Sequence, residues 1–258
     1  MMNNQLRRYM QWGNCYNVRE MGGYRTQLGG YTRWRSFIRA DNLGRLTPEG
    51  KDALVAYGVE TIIDLRDRRE VEISPTIEIA SSNGLTSLTI INLPLMEMDS
   101  ESGKGNFDHL TSIEELYLWM LGAFQSNIAC VMKEIADSKD GTVAFYCHSG
   151  KDRTGLIAAM LLDVVQVPRS VIAEDYALSA SLLEPAGETI FADFALTPER
   201  REKLKIFMGS PPGAILAALH YINSTYGSVV DYLLSGGVTT DDLYRIKSRF
   251  LASLYGFS

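Results

Sequence analysis

The sequence predicts an α/β fold, a central and mostly parallel sheet flanked by helices. Three observations predict it. The apolar run Thr142 to Tyr146 passes through a polar turn into a second apolar run, Leu156 to Val165, and reads as buried strand, loop and buried helix. A helix start at Thr47-Pro48-Glu49 is followed, after Gly58, by the apolar stretch Val59 to Leu65. Helix, short turn and strand in succession is how α/β sheets are assembled. A third strand, Thr89 to Leu93, is stopped by Pro94.

The remaining elements follow in chain order. The adjacent glycines Gly22 and Gly23 suggest close backbone approach. Leu28-Gly29-Gly30-Tyr31 reads as a hairpin turn between short strands. Ser36 to Ala40 is a short strand ending in Arg39-Ala40-Asp41, where Arg39 and Asp41 are either site residues or an ion pair bracing the loops. Thr47 caps its helix, with proline at the first position and Glu49 in the first turn. Asp64 and Arg66 stand at the carboxyl end of a strand, where open α/β sheets place their ligands. The charge run from Arg66 to Glu70 reads as a solvated helix start.

Residues 81–88 are loop-like, and the polar stretch from Glu97 to His109 holds Asp99 and Asp108. Ser112-Ile113-Glu114-Glu115 is a capping box. It opens one helix to about Asp137, with Leu116, Met120, Phe124 and Ile128 as a core stripe. Val171 to Leu183 is helical, and residues 184–210 form either a helical lid or an ordinary surface helix pair. Three helices close the chain: Pro212 to Tyr226, one capped by Ser228 and ended by Gly236-Gly237, and Thr240 to Leu254 capped by Thr239. No linker divides residues 1–258, which read as a single domain.

The turn between the central strand and its helix carries the chemistry. It reads Cys147-His148-Ser149-Gly150-Lys151-Asp152-Arg153-Thr154-Gly155. A strand turning sharply into a helix points successive backbone N–H groups at one spot, and the helix N-terminus adds partial positive charge there. An oxyanion such as phosphate fits that cradle. Arg153 closes it with a guanidinium matching two phosphate oxygens. The loop residues His148, Ser149, Gly150, Lys151 and Thr154 are the phosphate-binding candidates. Cys147 at the floor is placed to attack phosphorus as a thiolate, and Thr154 to hydrogen-bond its sulfur. Cys-x5-Arg marks cysteine-dependent phosphatases; arsenate reductases share a similar loop.

Gly150-Lys151-Asp152-Arg153-Thr154-Gly155 resembles the loop of the atypical bacterial protein-tyrosine phosphatases. That family includes secreted phosphatases of mycobacteria and Listeria that act on phosphotyrosine and, in some members, on phosphoinositides. Asn17-Val18-Arg19-Glu20-Met21-Gly22-Gly23 resembles the family's N-terminal segment, Asp64-Leu65-Arg66 its Asp-Leu-Arg, and residues 227–251 its C-terminal stretch. The chain departs just before the nucleophile: the family has histidine there, whereas this chain has Tyr146 and then His148 after the cysteine. The resemblance implies a phosphatase with a cysteinyl-phosphate intermediate and no cofactor. It makes Asp152 the first choice as acid and base, with Asp64 second and Asp99 or Asp108 as further candidates. Asp152 paired to an arginine is the structural alternative. Lys151 adds charge that suits phosphoinositides, or is simply solvated.

Composition narrows the substrates. The net charge of −6 carries no general nucleic-acid footprint. Residues 1–70 hold 12 basic and 8 acidic side chains, a local excess of +4 that suits anionic substrates. Three cysteines make no disulfide framework, and three histidines suggest no metal cluster. No apolar run of about 18 residues is present, so no transmembrane segment is expected. Residues 1–11 lack an apolar signal region, which points to the cytoplasm or to a secreted form already processed. The expected partner is a phosphorylated protein or a phosphoinositide; a small phosphoester, or a non-catalytic phosphate-binding role, are the rival readings.

Overall fold

A computed structural model describes residues 7–79, 88–97, 109–191 and 207–252. Its centre is a five-stranded sheet: β1 (Arg19–Glu20), β2 (Phe37–Ala40), β3 (Val59–Asp64), β4 (Thr89–Asn92) and β5 (Thr142–Tyr146). The strand order is β1-β2-β5-β3-β4. β1 is antiparallel to β2, and every other pairing is parallel. The mostly parallel α/β sheet read from the sequence is therefore the one observed.

Strand alternation divides the apolar side chains between two faces. Ile38, Ile62, Ala144 and Tyr146 pack on one face with Trp12, Cys15 and Leu54, the last from α1 (Pro48–Tyr57). Phe37, Ile63, Val143 and Phe145 point to the other, larger core. That core is completed by α3 (Ile113–Ala123), α4 (Gln125–Asp137), α5 (Arg153–Val164), α6 (Arg169–Leu183), α7 (Pro212–Tyr226), α8 (Val229–Ser235) and α9 (Thr240–Phe250). Among the described residues between β3 and β4 lies one short helix, α2 (Arg68–Ile73). The strands are short, but a parallel strand buried on both faces is held by its side chains. Each fully buried Phe or Ile contributes about 1.5–3 kcal/mol. Among the described residues no helix is long and apolar enough to cross a membrane.

The structure differs from the sequence reading in two helices. The expected single helix from Ser112 to Asp137 is two, broken at Phe124 (φ −121°, ψ 27°). Tertiary bonds redirect the chain there. Gln125 donates to the Tyr232 carbonyl at 2.9 Å and Asn127 to the Pro94 carbonyl at 3.0 Å, while Phe124 meets the Trp119 ring edge-on. The last helix ends at Phe250 rather than Leu254, because Leu251 bridges to Thr32 and the Ala252 N–H donates to the Tyr31 carbonyl. Of the candidate lid, Glu184–Phe191 is a pair of short 3-10 turns kinked at Gly187 (φ 49°, ψ −133°), and residues 192–206 lie outside the described residues. Asp99 and Asp108 lie outside them as well.

Candidate active site

The parallel strands β2, β3 and β5 end side by side, and the polar loop 147–152 leaves from the central one, β5. Cys147 is buried at its start and Arg153 opens α5 at its end. Gly150 adopts φ 65°, a conformation that disfavours any side chain. A Cβ at this position would lie 2.3 Å from the Ala40 carbonyl oxygen. Glycine thus lets the loop rest directly on the end of β2.

The loop's carbonyls are held from outside. The Asn42 N–H donates to the His148 carbonyl at 3.1 Å. Asn17 Nδ2 donates to the Ser149 carbonyl at 2.9 Å, and Arg39 Nη2 to the Gly150 carbonyl at 3.0 Å. A peptide unit is planar and trans, so the N–H sharing each of these peptides points the opposite way. Those are the N–H groups of Ser149, Gly150 and Lys151, and none of them donates to a described residue. Three adjacent outward carbonyls thus turn three adjacent donors inward, which is the geometry of an anion nest.

Behind these braces stands a buried charge cluster. Asp175 on α6 accepts from Arg19 Nε at 2.9 Å, Arg39 Nη1 at 2.6 Å and the Tyr24 hydroxyl at 2.8 Å. Burial works to raise the Asp175 carboxyl, but the charges of Arg19 and Arg39 outweigh it and hold the group well below the usual carboxylate range. Arg19 also donates to the Asn17 side-chain oxygen. Asp41 accepts the backbone N–H groups of Tyr16 and Asn17, each at 3.0 Å. Arg39 and Asp41 therefore form no ion pair with each other: each braces the loop through a different partner.

Asp64 and Arg66 do pair, at 2.7 and 2.9 Å, and both are fully buried. The Asp64 oxygens also accept from the Tyr146 hydroxyl at 2.7 Å and the Thr76 hydroxyl at 2.8 Å. Asp64 is thus saturated with donors, the pattern of a brace rather than of a proton donor. Tyr146 has a definite place in this group, since the Arg66 guanidinium lies over its ring at 5.2 Å.

The charge run from Arg66 to Glu70, read from the sequence as a solvated helix start, is only partly solvated. Arg66 is buried and Arg68 is exposed. Glu70 turns inward to hold Arg153, accepting from Nη2 at 2.7 Å and also from Nη1. Asp67 and Glu70 form a reciprocal capping box on α2, which aims the Glu70 carboxylate. Burial works to raise Glu70, but the Arg153 charge and hydrogen bonds bring it down to about 2. The Asp-x-x-Glu spacing was a signal that could have identified this residue.

Asp152 is one-quarter exposed and leaves its own helix uncapped. Its Oδ1 accepts from the Tyr117 hydroxyl at 2.8 Å and lies 3.1 Å from Lys151 Nζ. The Tyr117 hydroxyl also bonds to Tyr176 at 2.7 Å. Asp152 makes no pair with Arg153. Lys151 is neither solvated nor open to a ligand: its ammonium donates to the carbonyls of Phe207 and, at 2.8 Å, Gly209. Thr154 is buried and its hydroxyl has no partner among the described residues, so the expected bond to the Cys147 sulfur is not formed. Asn17, Glu70, Tyr117, Asp175 and Tyr176 are the site neighbours that sequence reading did not single out as site residues.

Three comparisons bear on this arrangement. A model described as the tyrosine phosphatase family matches residues 10–252. A tyrosine-protein phosphatase of Nostoc commune is 36% identical over 222 residues, covering 83% of this chain and 74% of that protein. The triple specificity protein phosphatase PtpB of Mycobacterium tuberculosis is 22% identical over 273 residues, covering 92% of this chain and 97% of that protein. Among solved structures, the crystal structure of P. aeruginosa TpbA aligns with a TM-score of 0.30 at 17% identity, over 73% of this chain and 89% of that one.

Proposed function

The chain belongs to the tyrosine phosphatase family, and from that premise we propose that it hydrolyses phosphotyrosine through a cysteinyl-phosphate at Cys147. It is a phosphatase by family. The nucleophile, the intermediate and the substrate are the proposal's own. The observation that carries the reading is the set of three adjacent loop carbonyls held outward, which turns three N–H groups to the other side of the loop that runs from Cys147 to Arg153.

In the first step the Cys147 thiolate attacks phosphorus and the bond to the tyrosine oxygen breaks. Asp152 gives its proton to the departing oxygen. The loop N–H groups and the edge of Arg153 not held by Glu70 stabilise the equatorial oxygens as charge shifts. In the second step a water attacks phosphorus and Asp152 takes its proton. The S–P bond breaks, restoring the thiolate and releasing inorganic phosphate. Thr154, with a free hydroxyl two residues after Asp152, is available to the sulfur as it leaves.

Phosphoserine and phosphothreonine are further substrates under this reading, in keeping with the more-than-single specificity in the name of the mycobacterial relative. The phosphoinositide alternative rests on the family resemblance and on the charge of Lys151. With its ammonium on two carbonyls, that lysine no longer favours a lipid headgroup.

The test compares p-nitrophenyl phosphate, phosphotyrosine and phosphoserine peptides and phosphoinositide vesicles, with a chelator present, for the wild type and Cys147→Ser. The expected result is chelator-resistant turnover, fastest on the phosphotyrosine peptide and abolished by the substitution. Turnover surviving in Cys147→Ser would refute the mechanism. Faster turnover of the vesicles would replace the substrate.

A further inference from the structure

We propose that Asp175, on α6 and without a bond of its own to the catalytic loop, is the positioning residue that shapes the oxyanion cradle. The proposal rests on the functional reading above. Two arms leave this carboxylate. One runs through Arg39, which takes Asp175 Oδ2 on Nη1 at 2.6 Å and gives Nη2 to the Gly150 carbonyl at 3.0 Å. The other runs through Arg19, bound to Asp175 Oδ1 at 2.9 Å and to the Asn17 side-chain oxygen. That contact leaves the Asn17 amide nitrogen to donate to the Ser149 carbonyl at 2.9 Å. One carboxylate therefore fixes two adjacent carbonyls, and with them the opposed N–H groups of Gly150 and Lys151.

The orientation of each intermediate is set by Asp175. Arg39 and Arg19 are both fully buried cations, and their charges repel. Placed side by side without a counter-charge, they would be driven apart or hydrated. Asp175 meets both. The Tyr24 hydroxyl and Arg19's second contact, Nη2 on the Asp175 backbone carbonyl at 2.9 Å, fix the carboxylate's own rotamer. The amide of Asn17 has no preferred flip by itself. The guanidinium on its oxygen decides that the nitrogen faces the loop. Removing Asp175 thus releases both arms without touching Cys147, Arg153 or Asp152.

Oxyanion affinity separates this role from a merely structural one. Tungstate binding to Cys147→Ser is measured by calorimetry, with and without Asp175→Asn, alongside near-ultraviolet circular dichroism to verify folding. The expected result is a folded double variant binding tungstate about 10- to 100-fold more weakly, the scale set by misplacing a preorganised site. In the Cys147 background, kcat should fall by a similar factor. Should Asp175→Asn not fold, Asn17→Ala removes only the arm to Ser149 and is expected to weaken tungstate about 2- to 12-fold. A folded variant, Asp175→Asn or Asn17→Ala, that binds tungstate as tightly as its parent overturns the inference. Failure of Cys147→Ser itself to bind tungstate, with Asp175 intact, counts instead against the proposed function.

Discussion

The two edges of the sheet use arginine in opposite ways. At the carboxyl-terminal edge four guanidinium groups are buried or largely so and each has a fixed partner: Arg66 on Asp64, Arg19 and Arg39 on Asp175, Arg153 on Glu70. At the amino-terminal edge Arg33, Arg35, Arg245 and Arg249 surround a cavity of about 650 Å³. Arg33 and Arg35 are exposed there, and Arg245 is shared among Asp137, Asp241 and Asp242. Charges in water are screened and weakly coupled; charges out of water are coupled strongly and are costly to leave unpaired. One edge therefore holds a rigid scaffold and the other a solvated rim.

Buried carboxylates sharpen the contrast. Burial raises both Glu20 and Glu70. At Glu20, near the start of β2, it prevails over the Tyr57 hydroxyl and the Arg35 N–H and pushes the group up to about 7. At Glu70 the guanidinium in direct contact wins, and the group sits at about 2. The decisive difference is a hydrogen-bonded cation.

The largest effect is expected from breaking such a contact. Glu70→Gln leaves Arg153 without its counter-charge and should lower stability at pH 7 by about 3–5 kcal/mol. The pH dependence has a definite sign. Glu70 is depressed from 4.5 to about 2. Its contribution is complete above pH 4.5 and is lost as the pH falls toward 2. Denaturant midpoints between pH 2 and 7 should show that acid limb in the wild type and flatten it in the variant. An unchanged limb would remove Glu70 from the scaffold.

Next in size is the backbone contact at the same edge. Gly150→Ala forces a left-handed residue, at about 1–2 kcal/mol, against the Ala40 carbonyl, where overpacking adds about 1–3 kcal/mol. The expected result is a lower unfolding midpoint together with weaker oxyanion binding. Equal loss of stability with unaltered tungstate affinity would mean that the loop does not depend on resting against β2.

The sequence revealed this edge unevenly. Residues 142–165 were legible because strand, loop and helix are contiguous, and because Cys147, Gly150 and Arg153 stand at the spacing that the proposed chemistry requires. Asp175 was illegible. It lies 156 residues from Arg19 and 136 from Arg39, on a helix whose sequence gives no sign that one acid faces inward. The run from Arg66 to Glu70 misled for a related reason: charge pattern alone does not say which members are desolvated. Tyr146 read as a departure from a family pattern, and only the strand's register showed its hydroxyl reaching Asp64. The break at Phe124 could not be read either, since both sides of it have helical periodicity and the bonds that bend the chain are tertiary.

A smaller effect, opposite in sign to that at Glu70, is expected from Glu20→Gln. Because the folded-state value is raised from 4.5 to about 7, the wild type loses stability as the pH rises through that interval. The amide cannot ionise and should escape the loss. Near pH 8 the variant should be the more stable by up to about 3 kcal/mol, at roughly 1.36 kcal/mol per unit, less whatever the amide costs in hydrogen bonding to Tyr57. Melting curves at pH 5 and pH 8 measure it. A variant less stable at pH 8 than at pH 5 would show that Glu20 is not what titrates.

The smallest effect separates burial from position along the sheet. Arg68 lies on α2, two residues from Glu70 and at the same edge as the active-site scaffold, yet its side chain is 91% exposed. It pairs with Glu72 at 2.8 Å across one helical turn. If nearness to the site gave an ion pair its strength, Arg68→Ala would resemble Glu70→Gln. If desolvation does, it should cost only about 0.3–0.5 kcal/mol, and 1 M salt should erase even that. Paired denaturation of the two variants at low and high salt decides it. A large, salt-resistant loss in Arg68→Ala would replace burial with location as the property that divides the two edges.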